Sequence, residues 1–199
     1  LSKATDGGRA GLSMAGWPQA VRVALKENRG TMARNTHHSL RLKFNPEGHF
    51  GGFSQGDTTM DFYGRIAALL KPTDVVLDFG AGRGAQIAED IVPFRRFLKT
   101  FKGRVSHVEG CDIDDGVMSN PYLDSAKMFE IDRPLPYEDN QFDLIYSNWV
   151  FEHVEFPEAV ARELLRVLKP GGYICAITPN KSGYISIASR MISNKLHTT

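Results

Sequence analysis

Apolar residues in this chain fall into short dense runs separated by stretches of helical spacing. The dense runs are Asp74–Phe79, Arg104–Cys111, Ala126–Ile131, Phe142–Ser147 and Tyr173–Thr178, and each reads as a buried strand. Between them, Phe62, Ile66, Leu69 and Leu70 recur on one helical face, with Thr58 and Asp61 as a capping pair at its start and Pro72 as its stop. Ile87, Ile91, Phe94, Leu98 and Phe101 keep one face across Pro93, which predicts one helix kinked there or two short helices meeting there. Val160, Leu164, Val167 and Leu168 predict a helix that opens at Pro157 and ends at Lys169-Pro170-Gly171-Gly172. A last helix is expected over Gly183–Ser193. Strands alternating with helices specify a doubly wound, Rossmann-like α/β fold with a mostly parallel sheet covered on both faces.

The first part of the chain is less regular. Pro18–Glu27 is expected to form a short helix, and Ser39–Phe44 alternates like a short strand with Leu40, Leu42 and Phe44 on one face. Gly48–Gly56 is glycine-rich and expected to be mobile, either as a flap over a ligand site or as a plain connector. The organisation predicted is an arm over residues 1–56 and a main domain over residues 57–199.

The totals narrow the function classes. A net charge of +1 gives no whole-molecule attraction to nucleic acid, and the basic excess before Gly56 reads as a solvated arm. The sequence has no apolar run long enough for a membrane span. The two cysteines, Cys111 and Cys175, lie in strand-like segments without metal-ligand spacing, so no metal site is expected. Buried reduced cysteines and the lack of an N-terminal apolar signal core suggest a cytoplasmic protein.

In an open parallel sheet, ligands bind beyond the carboxyl ends of the strands. The first strand runs into Asp78-Phe79-Gly80-Ala81-Gly82-Arg83-Gly84. Glycines there let backbone approach a ligand closely. Gly80, Gly82 and Ala85 also satisfy the loose dinucleotide pattern, but Asp78 argues against it. A carboxylate at the foot of the turn would repel a diphosphate and attract an ammonium group. Asp112 ends the second strand, where it would accept from ribose hydroxyls, with Ile113 against an adenine face. Asp132 follows the third strand, where its carboxylate would accept from the adenine amino group and the Arg133 N–H would reach a ring nitrogen. Ser147, Asn148 and Trp149 follow the fourth, facing the amino-acid end of the ligand and the acceptor.

These blocks, in this order, resemble a family. Val76–Gly84, Gly110-Cys111-Asp112-Ile113-Asp114, Asp132-Arg133-Pro134-Leu135-Pro136, Phe142-Asp143-Leu144-Ile145, Phe151-Glu152-His153-Val154 and Glu163–Gly172 together resemble the class I S-adenosylmethionine (SAM) dependent methyltransferases, in the small-molecule branch that includes quinone-precursor enzymes. The resemblance covers roughly residues 57–180 and implies SAM as cofactor, with roles for Asp78, Gly80, Gly82, Asp112 and Asp132; the strand-end reading adds Ala81, Ile113, Arg133 and Asn148 to the expected cofactor-binding set. The resemblance also implies a sheet of seven strands, of which the last two are lacking here. The sequence therefore reads as a C-terminally incomplete domain, with an exposed sheet edge that Ser39–Phe44 or a second copy of the chain would cover.

The expected activity is methyl transfer from SAM to the oxygen or nitrogen of a small-molecule or sugar acceptor. His153, next to Glu152, is the best candidate for a general base toward a hydroxyl acceptor, the alternative being a histidine that packs on the following helix. The alternative is an inactive methyltransferase-like domain that binds SAM or a protein partner.

Overall fold

A computed structural model of the chain describes residues 43–180. Among these residues, five strands form one sheet: β1 (Val75–Phe79), β2 (His107–Asp112), β3 (Ser125–Met128), β4 (Phe142–Asn148) and β5 (Leu168–Ile177). Their order is β3-β2-β1-β4-β5, and every neighbouring pair is parallel. The chain leaves β1 toward one side for β2 and β3, then returns to the other side for β4 and β5. The reversal lies between β1 and β4, where doubly wound sheets open their ligand crevice.

The alternation of side chains along each strand builds two cores. Val76 and Leu144 face one side, with Tyr63, Ile66, Phe101, Val108, Leu123 and Tyr146. Leu77, Phe79 and Ile145 face the other, with Cys111, Leu135, Phe142, Leu164 and Val167. Burial on both faces explains why β1 and β4 read as continuous apolar runs rather than as alternating ones. Parity along β1 puts Asp78 on the Val76 side, and its register partner across the junction is Tyr146.

Among the described residues, four helices have both ends in view: α1 (Thr58–Leu69), α2 (Ala85–Ala88), α3 (Pro93–Lys99) and α4 (Pro157–Val167). Helix α1 begins at Thr58 as expected, but Asp61 gives its carboxylate to Arg65 one turn on, at 3.0 Å. The segment around Pro93 resolves into two short helices. Pro93 opens α3, where its missing N–H costs nothing, and Ile91 lies between the helices, exposed.

Near its start, β5 corrects the boundary expected from sequence. Lys169-Pro170-Gly171-Gly172 does not lie outside the sheet between helix and strand. Leu168 already pairs with Phe142, and Tyr173 pairs with Leu144, so the four residues form a bulge within the strand. Gly171 takes φ +81°, and a Cβ on Gly172 would lie 2.7 Å from the Asp143 carbonyl. Lys169 donates to Asp143 at 2.7 Å, and the Val75 N–H donates to the same carboxylate at 2.9 Å, tying the bulge to β1. Among the described residues the outer edge of β5 is unpaired, and Tyr173 and Ile174 are exposed there.

The described residues divide into two compact units. One takes residues 43–57 together with Asp90–Phe97, the other Thr58–Glu89 together with residues 98–180. Residues 90–97, which the sequence assigned to the main domain, thus group with the N-terminal part. Arg95 explains it by bridging the buried carboxylates of Asp57 and Asp90. Phe53 packs on Phe94, and Gly52 lies against Val92. Within Gly48–Gly56 the chain makes a hydrogen-bonded turn, with the Gly52 N–H on the Gly48 carbonyl at 3.0 Å and the Gln55 N–H on Glu47 at 3.3 Å. Of the strand expected over Ser39–Phe44, Lys43 and Phe44 are helical and the rest lies outside the described residues. The helices expected over Pro18–Glu27 and Gly183–Ser193 lie outside them too.

Candidate cofactor site

The site is built at the carboxyl ends of β1, β2 and β4. Leaving β1, the Gly80 and Ala81 N–H groups both donate to the Cys111 carbonyl, at 2.8 and 3.1 Å, which fastens the turn to β2. Gly80 needs its missing side chain, because its φ is +78° and a Cβ would run into Val150. Gly82 differs: its φ is +50°, and among the described residues no atom beyond its chain neighbours lies within 4 Å of where its Cβ would sit. The open face of the turn is therefore at Gly82.

Asp112 is half-buried at the end of β2 and faces this turn. Its Oδ2 accepts from the Gly82 N–H at 2.8 Å and its Oδ1 from the Asp114 N–H at 3.0 Å. A carboxylate oxygen has lone pairs for more than one donor, so both remain able to accept from a diol. Asn120 holds the turn from the other side. Its amide donates to the Ala81 and Gly82 carbonyls at 3.3 and 3.0 Å, and its oxygen accepts from the Tyr122 N–H. Sequence reasoning missed Asn120, which lies in a loop after β2 with no motif around it.

Asp78 is half-buried, and its Oδ2 accepts from the Tyr146 hydroxyl at 2.8 Å. Burial pushes its carboxyl up to about 7, the Tyr146 hydrogen bond opposes the rise, and the charge of Asp112 adds to it. The Cys111 thiol is pushed far up by burial and by the charge of Asp78, which leaves it an inert core residue. At the end of β4, Asn148 donates to the Gln86 side chain, and Ser147 buries a hydroxyl with no partner among the described residues.

The remaining predicted residues lie further out. Ile113 is 54% exposed beyond β2. Asp132 and Arg133 are exposed beyond β3, and the Arg133 N–H donates to the Glu130 carbonyl at 3.2 Å, so it is not free in this conformation. Both residues border a cavity of about 330 Å³ with Phe79, Leu135, Phe156 and Val160, a cavity that Asp78, Gly80, Gly82 and Asp112 do not line. His153 is exposed in a short 3-10 turn after β4, and its imidazole has no partner among the described residues. Glu152 accepts from the Thr178 hydroxyl at 3.1 Å, so it braces the end of β5. Trp149 is also exposed, with φ +57°.

The sequence profile of the methyltransferase domain family matches residues 77–176, half of the chain, from the middle of β1 to the end of β5. The chain belongs to the methyltransferase domain family. An uncharacterised methyltransferase of Schizosaccharomyces pombe is 32% identical over 117 residues, covering 53% of this chain and 40% of that protein. The ubiquinone/menaquinone biosynthesis C-methyltransferase of Vibrio cholerae is 30% identical over 124 residues, covering 56% of this chain and 43% of that protein. The chain thus spans less than half the length of these two curated relatives. A solved SAM-dependent methyltransferase from Aquifex aeolicus is 19% identical with a TM-score of 0.47, covering 73% of this chain and 74% of that one. The cofactor implied by this methyltransferase family is S-adenosyl-L-methionine. Among the described residues no helix is long and apolar enough to cross a membrane, and no cluster of His, Cys, Asp and Glu is placed to hold a metal ion.

Proposed function

We propose that this chain carries the cofactor-binding core of an enzyme that moves a methyl group from SAM to a small-molecule acceptor. The observation that carries the reading is the sign of the charge at the glycine turn. Asp78 and Asp112 flank a backbone cradle whose open face is Gly82. The carboxylate of Asp78 there disfavours a diphosphate, and the two together suit a ligand with a diol at one end and an ammonium group at the other. In this reading Asp112 takes the ribose hydroxyls, Asp78 takes the ammonium group, and Gly80, Ala81 and Gly82 supply the cradle. Ile113, Asp132 and Arg133 lie toward the adenine, and Asn148 toward the acceptor. SAM brings a methyl group already activated on a sulfonium, so the residues around it have chiefly to align the acceptor. The relatives include a ubiquinone/menaquinone biosynthesis C-methyltransferase and a phosphoethanolamine N-methyltransferase, which supports a small-molecule acceptor.

A ligand at 100 times its dissociation constant stabilises a protein by about 2.7 kcal/mol. Saturating SAM should therefore raise the thermal midpoint by several degrees, and NAD at the same concentration should leave it unchanged. A shift with NAD and none with SAM would overturn the reading. The inactive alternative predicts the SAM shift without release of S-adenosylhomocysteine from any acceptor supplied.

His153 separates acceptor classes. A hydroxyl acceptor must lose a proton as it is methylated, and His153 is an exposed imidazole just after β4 with no partner among the described residues. With such an acceptor, replacing His153 by alanine should cut turnover by about 10²-fold or more. Unchanged turnover on a hydroxyl acceptor would remove His153 from the chemistry.

A further inference from the structure

Asp78 and Tyr146 are register partners across the β1–β4 junction, on the same face of the sheet. The phenol ring is buried, wedged edge-on against Phe101 at 5.2 Å and Tyr63 at 6.2 Å between ring centres. Rings packed in this way leave the hydroxyl one place to point, and it donates to Asp78 Oδ2 at 2.8 Å. Asp78 Oδ1 has no donor among the described residues. One oxygen of the carboxylate is therefore fixed from within the core, and the other is left for something outside it. Nothing in the methyltransferase sequence blocks marks Tyr146, since its role depends on the register between two strands 68 residues apart.

We propose that Tyr146 is a positioning residue for the ammonium end of the cofactor: its hydroxyl fixes Asp78 Oδ2 and so presents Oδ1 to the ligand. The proposal rests on the methyltransferase reading above and deepens it. Tyr146 itself does not touch the ligand. It acts by fixing the carboxylate rotamer, and by supplying a hydrogen bond that favours the charged form over the neutral one. The other titratable groups facing Asp78 are Asp112 and Cys111 from β2, and Tyr63 from α1. Asp112 raises the carboxyl, and neither Cys111 nor Tyr63 is ionised near neutral pH, since burial pushes both upward. Tyr146 is thus the one group among them that opposes protonation of Asp78.

The test is titration calorimetry on the whole chain with two probes between pH 6 and 7.5. S-Adenosylhomocysteine has the amino-acid tail, and 5′-methylthioadenosine lacks it. Wild-type affinity for the first should fall as pH drops below about 7, as Asp78 takes up its proton. Tyr146→Phe should weaken S-adenosylhomocysteine about tenfold at pH 7, the scale of a hydrogen bond to a charged group, and move the pH midpoint upward. It should leave methylthioadenosine unchanged. In an Asp78→Asn background, which has no charge to present, the same substitution should have a much smaller effect on S-adenosylhomocysteine and no pH dependence, which guards against a variant that merely folds less well. Equal binding of S-adenosylhomocysteine by wild type and variant across the pH range would overturn the proposal. So would an equal loss of both probes, since that is what general damage to the site produces. Failure of the wild type to bind either probe would instead sink the methyltransferase reading, and this proposal with it.

Discussion

Replacing Asp78 by asparagine should make the free protein more stable at pH 8 while weakening SAM by about tenfold to a hundredfold. The two effects have one cause. The carboxyl sits at about 7 in the fold, against an ordinary value of 3.8, mainly because burial penalises its charge. A group whose pKa is raised on folding binds more protons in the native state than in the unfolded chain between those two values. Stability therefore falls as pH rises from about 4 to 7, and the full penalty is present above 7. Its size is on the order of a few kcal/mol. Asparagine has no charge to bury and still offers an oxygen to the Tyr146 hydroxyl. The variant should melt at least about 4 °C above wild type at pH 8, and the difference should shrink toward zero near pH 4. The loss of affinity follows from removing a charged partner of the ammonium group, worth roughly 1.5–3 kcal/mol. Thermal melts across pH and titration calorimetry with SAM check the two halves separately. If the variant were less stable at pH 8 yet bound SAM as before, Asp78 would be a structural residue and the electrostatic account of the site would fail. The trade is what a binding site built on a buried charge implies: the free protein carries a cost that the ligand relieves.

Much of the geometry of this candidate site was legible in the sequence because its signals are local. A strand that ends in an acid and turns on glycines carries its geometry in consecutive residues, so β1, Asp78 and the Gly80–Gly82 turn could be placed without a fold. Asp112 was legible from strand phase, and it does close on the turn. What the sequence hid depends on distant pairings. Tyr146 looks like any apolar residue of a buried strand until the register puts it beside Asp78. Asn120 looks like loop polarity until its amide is found on two carbonyls of the glycine turn. The bulge at Lys169–Gly172 carries helix-stop residues, and nothing local distinguishes a stop from an insertion inside a strand pair. Residues 90–97 continue a helical face on paper, yet the ion pairs of Arg95 tie them to the N-terminal unit.

Two glycines two residues apart should fail in different ways, and that contrast tests the division between scaffold and cradle. Gly80→Ala should destabilise the chain by about 2–5 kcal/mol. About 1–2 kcal/mol of this is the cost of a Cβ at positive φ. The rest is overpacking, because the new methyl overlaps both Val150 methyls and approaches the Val150 Cβ at 3.1 Å, and a β-branched side chain has no second rotamer to retreat to cheaply. Shortening Val150 to alanine in that background should recover the overpacking part and leave the backbone part. Gly82→Ala should cost only the backbone part, about 1–2 kcal/mol, since among the described residues no atom beyond its chain neighbours lies near its Cβ position. Its methyl instead fills the open face of the turn, so SAM binding should be lost while the fold survives. Denaturant unfolding and calorimetry on the three variants separate these outcomes. Equal destabilisation by both alanines, or unimpaired SAM binding by Gly82→Ala, would mean that the open face of the turn is not where the cofactor lies. If the contrast holds, one glycine serves the packing of β1 against the loop after β4, and the other keeps the space into which Asp78 and Asp112 direct their charge.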